Sequence, residues 1–266
     1  VHYVAPTVWA WRPKRAEKMA HHIDHVLALF PFEPPLMQAA GMDCDFVGHP
    51  VVADHVATQE QADALGAGTV VLILPGSRRG EVSRLTDRFG AAAALVAAKI
   101  PDVRFVIPTT GNVHDLVQQR VAGWKVPVTV LPAGSPDKAA WFKRADVALA
   151  ASGTVSLELA ANGTPMVIAY DMAWLSRIII SRMLMVDTVT LVNLVSDTRV
   201  VPEFIGKSCL SGPIAQAVLD VLADPQAQQS AMALTMERLG LGGEAPGLRA
   251  ARAVLDRLPQ APIKDH

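Results

Sequence analysis

Two short segments of this chain combine glycine, hydroxyl and cationic residues where an apolar run ends. Leu74-Pro75-Gly76-Ser77-Arg78-Arg79-Gly80-Glu81 follows the run 69–73, and Ala151-Ser152-Gly153-Thr154 follows the run 147–150, with Glu158 one helical turn further on. Each run reads as a buried strand and each following stretch as a helix. A helix start carries unpaired N–H groups at the positive end of the helix dipole. Two such turns at the carboxyl ends of parallel strands therefore make an anion site, with phosphate the natural occupant.

The first turn supplies its own parts. Pro75 sets φ, Gly76 lets backbone approach a ligand closely, and Ser77 is the expected N-cap. Arg78 offers a planar, permanently charged fork suited to bidentate phosphate contact. A plain strand-to-helix turn with solvated arginines is the alternative, but cap chemistry does not call for two cations where the dipole disfavours them. In the second turn, the hydroxyls of Ser152 and Thr154 and the backbone at Gly153 can grip phosphate. Glu158, on the same helical side, can accept from ribose hydroxyls. Alone it reads equally well as a cap followed by a surface glutamate; paired with the first turn it completes a site for the diphosphate of a nucleotide sugar.

These turns need a scaffold, and the pattern around them supplies one. Strand-like runs at 2–5, 25–30, 44–47, 70–74, 103–107, 128–131, 147–150 and 166–169 alternate with helical stretches such as 79–99, 112–122, 136–144 and 154–161. Most of the runs are continuous Val/Ile/Leu/Ala, the mark of strands buried on both faces of a parallel sheet. The fold class is α/β, a Rossmann-like doubly wound parallel sheet, in which ligands sit beyond the carboxyl ends of the strands. A boundary is expected near Gly48-His49-Pro50. Residues 1–50 read as the tail of a preceding domain, 51–243 as a fresh mononucleotide-binding domain, and 244–266 as a C-terminal helix and tail. The chain opens in mid-strand without an initiator Met, so an upstream segment is expected.

Bulk composition narrows the classes. Lys plus Arg (24) nearly balances Asp plus Glu (25), so no global field favours nucleic acid. No apolar stretch reaches the ~20 residues that span a bilayer, which leaves surface attachment open. Cys44 and Cys209 lack metal or redox spacing and read as reduced, structural residues. His21, His22 and His25 find no carboxylate or Cys partners in sequence, so no metal set is expected. The segment 9–18, with Trp9, Trp11, Arg12, Lys14, Arg15 and Lys18, suits either a lipid headgroup or a phosphorylated ligand, or is simply a solvated helix. The stretch 173–185, apolar apart from Arg177 and Arg182, reads as a core helix or one lying at an acyl-chain surface.

Taken in order, several stretches resemble the lipid-A-disaccharide synthase family, inverting glycosyltransferases of two-Rossmann (GT-B) architecture. They are Tyr3-Val4-Ala5-Pro6-Thr7-Val8-Trp9-Ala10-Trp11-Arg12, Leu29-Phe30-Pro31-Phe32-Glu33, Phe46-Val47-Gly48-His49-Pro50, the two Gly turns, and Thr190-Leu191-Val192-Asn193-Leu194 followed by Val201-Pro202-Glu203. The resemblance implies transfer of 2,3-diacylglucosamine from its UDP donor to 2,3-diacylglucosamine 1-phosphate, giving the lipid A disaccharide precursor and UDP. It implies that Gly76, Ser77, Arg78, Ser152, Gly153, Thr154, Glu158 and Asn193 belong to the UDP half. It implies no nicotinamide, flavin or metal, a cytoplasmic and peripheral location at the inner face of the cytoplasmic membrane, and dimers in some members. The family's acceptor-side half, with its catalytic base, is nearly absent here, so no residue of this chain is assigned as base and the chain is expected to bind donor better than it catalyses. Rival readings are another UDP-sugar GT-B enzyme, of N-acetylglucosaminyltransferase or epimerase type, and a non-catalytic nucleotide-binding module.

Overall fold

A computed structural model describes residues 1–10, 14–171 and 186–258. Trp11 and Arg12 of the basic segment, and the apolar stretch 173–185, lie outside these described residues. The chain divides into two compact units, and the chain enters the second at His55.

The first unit holds Val1–Asp54 and takes the chain back from Met236 onward. Its three strands, β1 (His2–Tyr3), β2 (His25–Ala28) and β3 (Asp43–Phe46), form a parallel sheet in the order β1-β2-β3. Helix α1 (Lys14–Ala20) bridges β1 and β2, and α2 (Pro34–Ala39) bridges β2 and β3. Val26, Ala28, Met37, Met42 and Cys44 pack into one small core with Ala5, Val8 and Ala16. Proline at the start of α2 suits a first turn whose N–H groups have no intrahelical partner.

The second unit carries six parallel strands: β4 (Val70–Leu74), β5 (Arg104–Pro108), β6 (Val128–Leu131), β7 (Val147–Ala150), β8 (Met166–Tyr170) and β9 (Glu203–Ile205). Their order is β6-β5-β4-β7-β8-β9. Three strands wind outward one way from β4 and three the other way from β7, so the topology reverses between β4 and β7. Such a reversal opens a crevice beyond the carboxyl ends of the two central strands. Every residue of β4 and β7 is buried, which is why both read as unbroken apolar runs.

Helices complete the winding: α3 (Gln59–Asp63) precedes β4, and α4 (Arg79–Ala97), α5 (His114–Val121), α6 (Lys138–Arg144) and α7 (Val155–Asn162) each follow a strand. Helix α4 buries Val82, Leu85, Phe89, Ala92, Ala93 and Val96, a stripe at helical spacing against the core of the sheet. Beyond β8 come α8 (Leu191–Ser196), α9 (Ser211–Ala223), α10 (Gln226–Arg238) and α11 (Pro246–Leu255).

The eight strands expected from sequence are present, with ends shifted by a residue or two. Strand β9 was not anticipated. It is three half-buried residues without an apolar run, held in place by its pairing with β8. The second boundary also differs. The chain rejoins the first unit at Met236, inside the last turn of α10, rather than near Gly243, so the tail from there on belongs to the first unit. Leu239 and Gly48 explain the return: the Leu239 carbonyl accepts from the His49 N–H at 3.1 Å.

Candidate functional site

A cavity of about 380 Å³ lies at the switch point between β4 and β7. On one side it is lined by Leu74, Gly76, Ser77, Arg78 and Glu81. Opposite stand Ala151, Ser152, Gly153, Thr154, Val155 and Glu158, from the turn after β7 and the start of α7. The loop after β5 adds Pro108, Thr109 and Thr110, and α6 adds Lys138 and Phe142. Seven of the eight residues named from sequence as donor-binding thus share one cavity.

Local chemistry holds the first turn open. Gly76 sits at φ +111°, and a Cβ there would stand 2.6 Å from Glu81 Oε2. Only glycine fits both the left-handed conformation and that contact. Helix α4 starts one residue later than Ser77 would require: Arg78, not Ser77, occupies the N-cap position. The serine hydroxyl is not needed as a cap because Glu81, in the first turn, reaches back and accepts the Arg78 backbone N–H at 3.3 Å. Glu81 also takes Arg78 Nη1 at 2.7 Å. That contact raises the Arg78 pKa further above its ordinary value. The turn is cross-braced from the neighbouring loop, where Asn112 Nδ2 donates to the Ser77 carbonyl at 2.8 Å.

The second turn is simpler. Gly153 takes φ +147° with open space around it. Thr154 occupies the N-cap position of α7, and among the described residues no side chain caps the helix. The Ser156 and Leu157 N–H groups turn back to the Gly153 and Thr154 carbonyls at 3.2 and 2.9 Å. The positive end of the helix dipole faces the cavity, an end that an anion can complete. Ser156 Oγ donates to the Gly153 carbonyl at 2.9 Å, fixing the turn from inside the helix.

Two ion pairs cross the cavity wall. Arg78 meets Glu81, and Lys138 Nζ meets Glu158 Oε2 at 3.2 Å. The cations are the exposed members, Arg78 at 81% and Lys138 at 53%, so both can turn toward a ligand. Lys138 was not singled out from sequence. Its signal was akin to the one that marked Arg78, a cation at a helix start: Lys138 is the first residue of α6. Placing that helix two residues early, at Pro136, hid it.

Asn193 does not join this group. It is 1% exposed, and both ends of its amide are spent on one neighbour: Nδ2 donates to the Val201 carbonyl and Oδ1 accepts the Val201 N–H, each at 3.0 Å. Its place is to tie α8 to the strand approach of β9, outside the cavity lining.

In the first unit, Glu33 is buried at 1% exposure, and its carboxylate accepts from the N–H groups of Leu29 and Phe30 and from Trp9 Nε1. Burial outweighs these donors and raises its pKa to about 7. Trp9, Phe30 and Phe32 form an aromatic cluster above it, with Phe30 and Phe32 stacked at 5.4 Å. Both cysteines are buried, and burial pushes the Cys44 thiol up to about 12. His21 and His22 are exposed, whereas His25 is buried against Asp45 at 2.9 Å. Among the described residues no cluster of His, Cys, Asp or Glu could hold a metal ion, and no helix is long and apolar enough to cross a membrane.

Parallel strands wound both ways from a switch point define a Rossmann-like α/β fold of the GT-B type. Solved structures of that architecture share the fold. A UDP-N-acetylglucosamine 2-epimerase from Neisseria meningitidis, solved with UDP-GlcNAc, aligns with TM-score 0.58 at 15% identity, over 88% of this chain and 62% of that one. The Acinetobacter baumannii MurG structure aligns with TM-score 0.52 at 13% identity, over 91% of this chain and 62% of that one. Sequence similarity goes further. The profile of the lipid-A-disaccharide synthetase family matches residues 1–253. The lipid-A-disaccharide synthase of Ruegeria pomeroyi is 61% identical over 97% of this chain and 68% of its own length. That of Rhodospirillum centenum is 43% identical over 100% of this chain and 68% of its own length. The chain belongs to the lipid-A-disaccharide synthase family, glycosyltransferases of lipid A biosynthesis.

Proposed function

We propose that the second unit is the donor half of this enzyme and binds UDP-2,3-diacylglucosamine, with the diphosphate between the two Gly turns. The observation that carries the reading is the cavity at the β4/β7 switch point, where Gly76, Arg78, Gly153 and Thr154 converge. The reaction is attack by the acceptor hydroxyl of 2,3-diacylglucosamine 1-phosphate on the anomeric carbon. The bond to the β-phosphate oxygen breaks, and UDP leaves with the electron pair.

Negative charge grows on that phosphate as the bond lengthens. Backbone N–H groups of the turns and the Arg78 guanidinium, already in place, meet it more strongly in the transition state than before it. Lys138 stands across the cavity as a second cation, and Glu158 is the acceptor for ribose hydroxyls. We assign the base that deprotonates the acceptor to the third of the relatives' length that this chain does not span.

Attachment to the inner face of the cytoplasmic membrane is part of the same proposal, supported by exposed Lys14 and Arg15 on α1. Self-association is another part, supported by exposed Leu248 and Leu255 on one side of α11 and exposed Leu258 just beyond its end. Titration calorimetry of the folded chain with UDP and with ADP tests the donor reading. UDP is expected to bind and ADP to bind more weakly; equal or absent binding of both refutes it.

A further inference from the structure

Glu81 is an unusual neighbour for an anion site. It is a carboxylate, 7% exposed, in the wall of a cavity proposed to receive a diphosphate, where its charge repels the ligand. Three contacts account for its place. Oε1 takes Arg78 Nη1 at 2.7 Å and lies 3.5 Å from the Tyr170 hydroxyl, and Oε2 takes the Arg78 backbone N–H at 3.3 Å. The same carboxylate packs so tightly on Gly76 that a Cβ there would clash with it. One buried group thus holds the backbone of the turn and the side chain that projects from it.

An arginine as exposed as Arg78 samples many rotamers unless something anchors it. A guanidinium has five N–H donors in a fixed fork, so one bond to Glu81 leaves an edge free for phosphate. We propose that Glu81 is a positioning residue for the donor diphosphate: it sets the Arg78 guanidinium over the cavity and pins the Gly76 turn, without touching the ligand itself. This inference rests on the donor reading above. Its consequence is a change of sign. With Arg78 present, Glu81 aids the ligand by pre-organising the cation and the turn. With Arg78 removed there is no guanidinium to set, and because the amide oxygen of Glu81→Gln can still accept the residue-78 backbone N–H, the repulsion is the part that Glu81→Gln then relieves.

The test is a double-mutant cycle read by UDP calorimetry on the full chain, with circular dichroism to confirm folding. In the parent background Glu81→Gln is expected to weaken UDP binding about tenfold, within the range for side chains in direct contact. In an Arg78→Ala background the same change is expected to leave UDP affinity unchanged or improve it. A merely structural glutamate would weaken binding equally in both backgrounds, and that outcome overturns the assignment. So does an unchanged affinity for Glu81→Gln in the parent. If Glu81→Gln does not fold, Glu81→Asp replaces it: charge is kept, but the shorter reach loses both the guanidinium and the turn N–H, so binding should weaken more in the parent than in Arg78→Ala, and equal weakening overturns the assignment. Absence of UDP binding by the unmutated chain refutes the donor reading itself, whereas binding by that chain with additive losses refutes only the role of Glu81.

Discussion

Gly76 and Gly153 stand at matching places after β4 and β7, yet the structure sets different costs for a methyl group at each. At Gly76 the added Cβ would meet Glu81 Oε2 at 2.6 Å and Glu81 Cβ at 2.8 Å, on a backbone at φ +111°. The second of those atoms is not the free end of a flexible chain, so the turn itself must shift. Backbone strain of roughly 1–3 kcal/mol adds to overpacking of roughly 1–3 kcal/mol. The sum centres on a loss of about 4 kcal/mol, or about 8–16 °C in the melting temperature of a unit of this size. At Gly153 the φ of +147° carries the same kind of strain, but nothing lies within 4 Å of the added atom. Gly153→Ala should therefore cost only the backbone part, about 1–3 kcal/mol. Donor binding should follow the geometry. Gly76→Ala displaces the turn and the Arg78 N–H with it, so UDP affinity should fall at least about tenfold, one factor of ~1.4 kcal/mol. Thermal melts and UDP calorimetry on both variants give the answer. If Gly76→Ala melts within about 2 °C of the parent and keeps its UDP affinity, the steric argument and the placement of the ligand against this turn are both wrong.

Arg78→Ala should weaken UDP binding about 10- to 100-fold, the scale of one hydrogen bond to a charged group, and should cut turnover of the complete enzyme at least as much, measured by steady-state kinetics. Its stability should fall by no more than ~1 kcal/mol rather than rise, because relief at the helix dipole is outweighed by loss of the exposed Glu81 pair; a higher melting temperature would contradict this. Asn193→Ala strands the Val201 N–H and carbonyl, so chemical denaturation should show a loss of about 2–4 kcal/mol, with UDP affinity per folded molecule unchanged; the reverse pattern would return Asn193 to the ligand. Glu33 has its folded pKa raised from 4.5 to about 7, so the folded state holds the extra proton between those values. Its contribution to stability is present below pH 4.5 and is lost as pH rises to about 7, on the order of 3 kcal/mol. Denaturation of the parent and Glu33→Gln across that range should show the slope only in the parent, and parallel curves would rule the effect out.

Local signals explain what could be read from the residues alone. Continuous apolar runs bounded by Gly and Pro located β4 and β7, because strands buried on both faces need no polar alternation. Gly76 and Gly153 stood out because a turn that brings backbone to a ligand requires φ values other residues avoid. Arg78 stood out because a cation at a helix start needs an anion. The family likeness lay in short motifs spread along the chain. Tertiary structure alone decided what those pieces meet. That β4 lies beside β7, rather than beside β6 or β8, is a choice among strand orders that no local pattern encodes, and it is what brings two distant turns to one cavity. Glu81 carried no role in the sequence reading; the fold buried it against Gly76, Arg78 and Tyr170. Lys138 reached the cavity only because α6 begins at its mouth. Asn193 resembled a ligand contact in sequence, but burial left its amide no partner except Val201, since a buried polar group must be satisfied where it lies. Residue types and spacing set which chemistry was possible; the non-local pairing of strands selected which residues carry it.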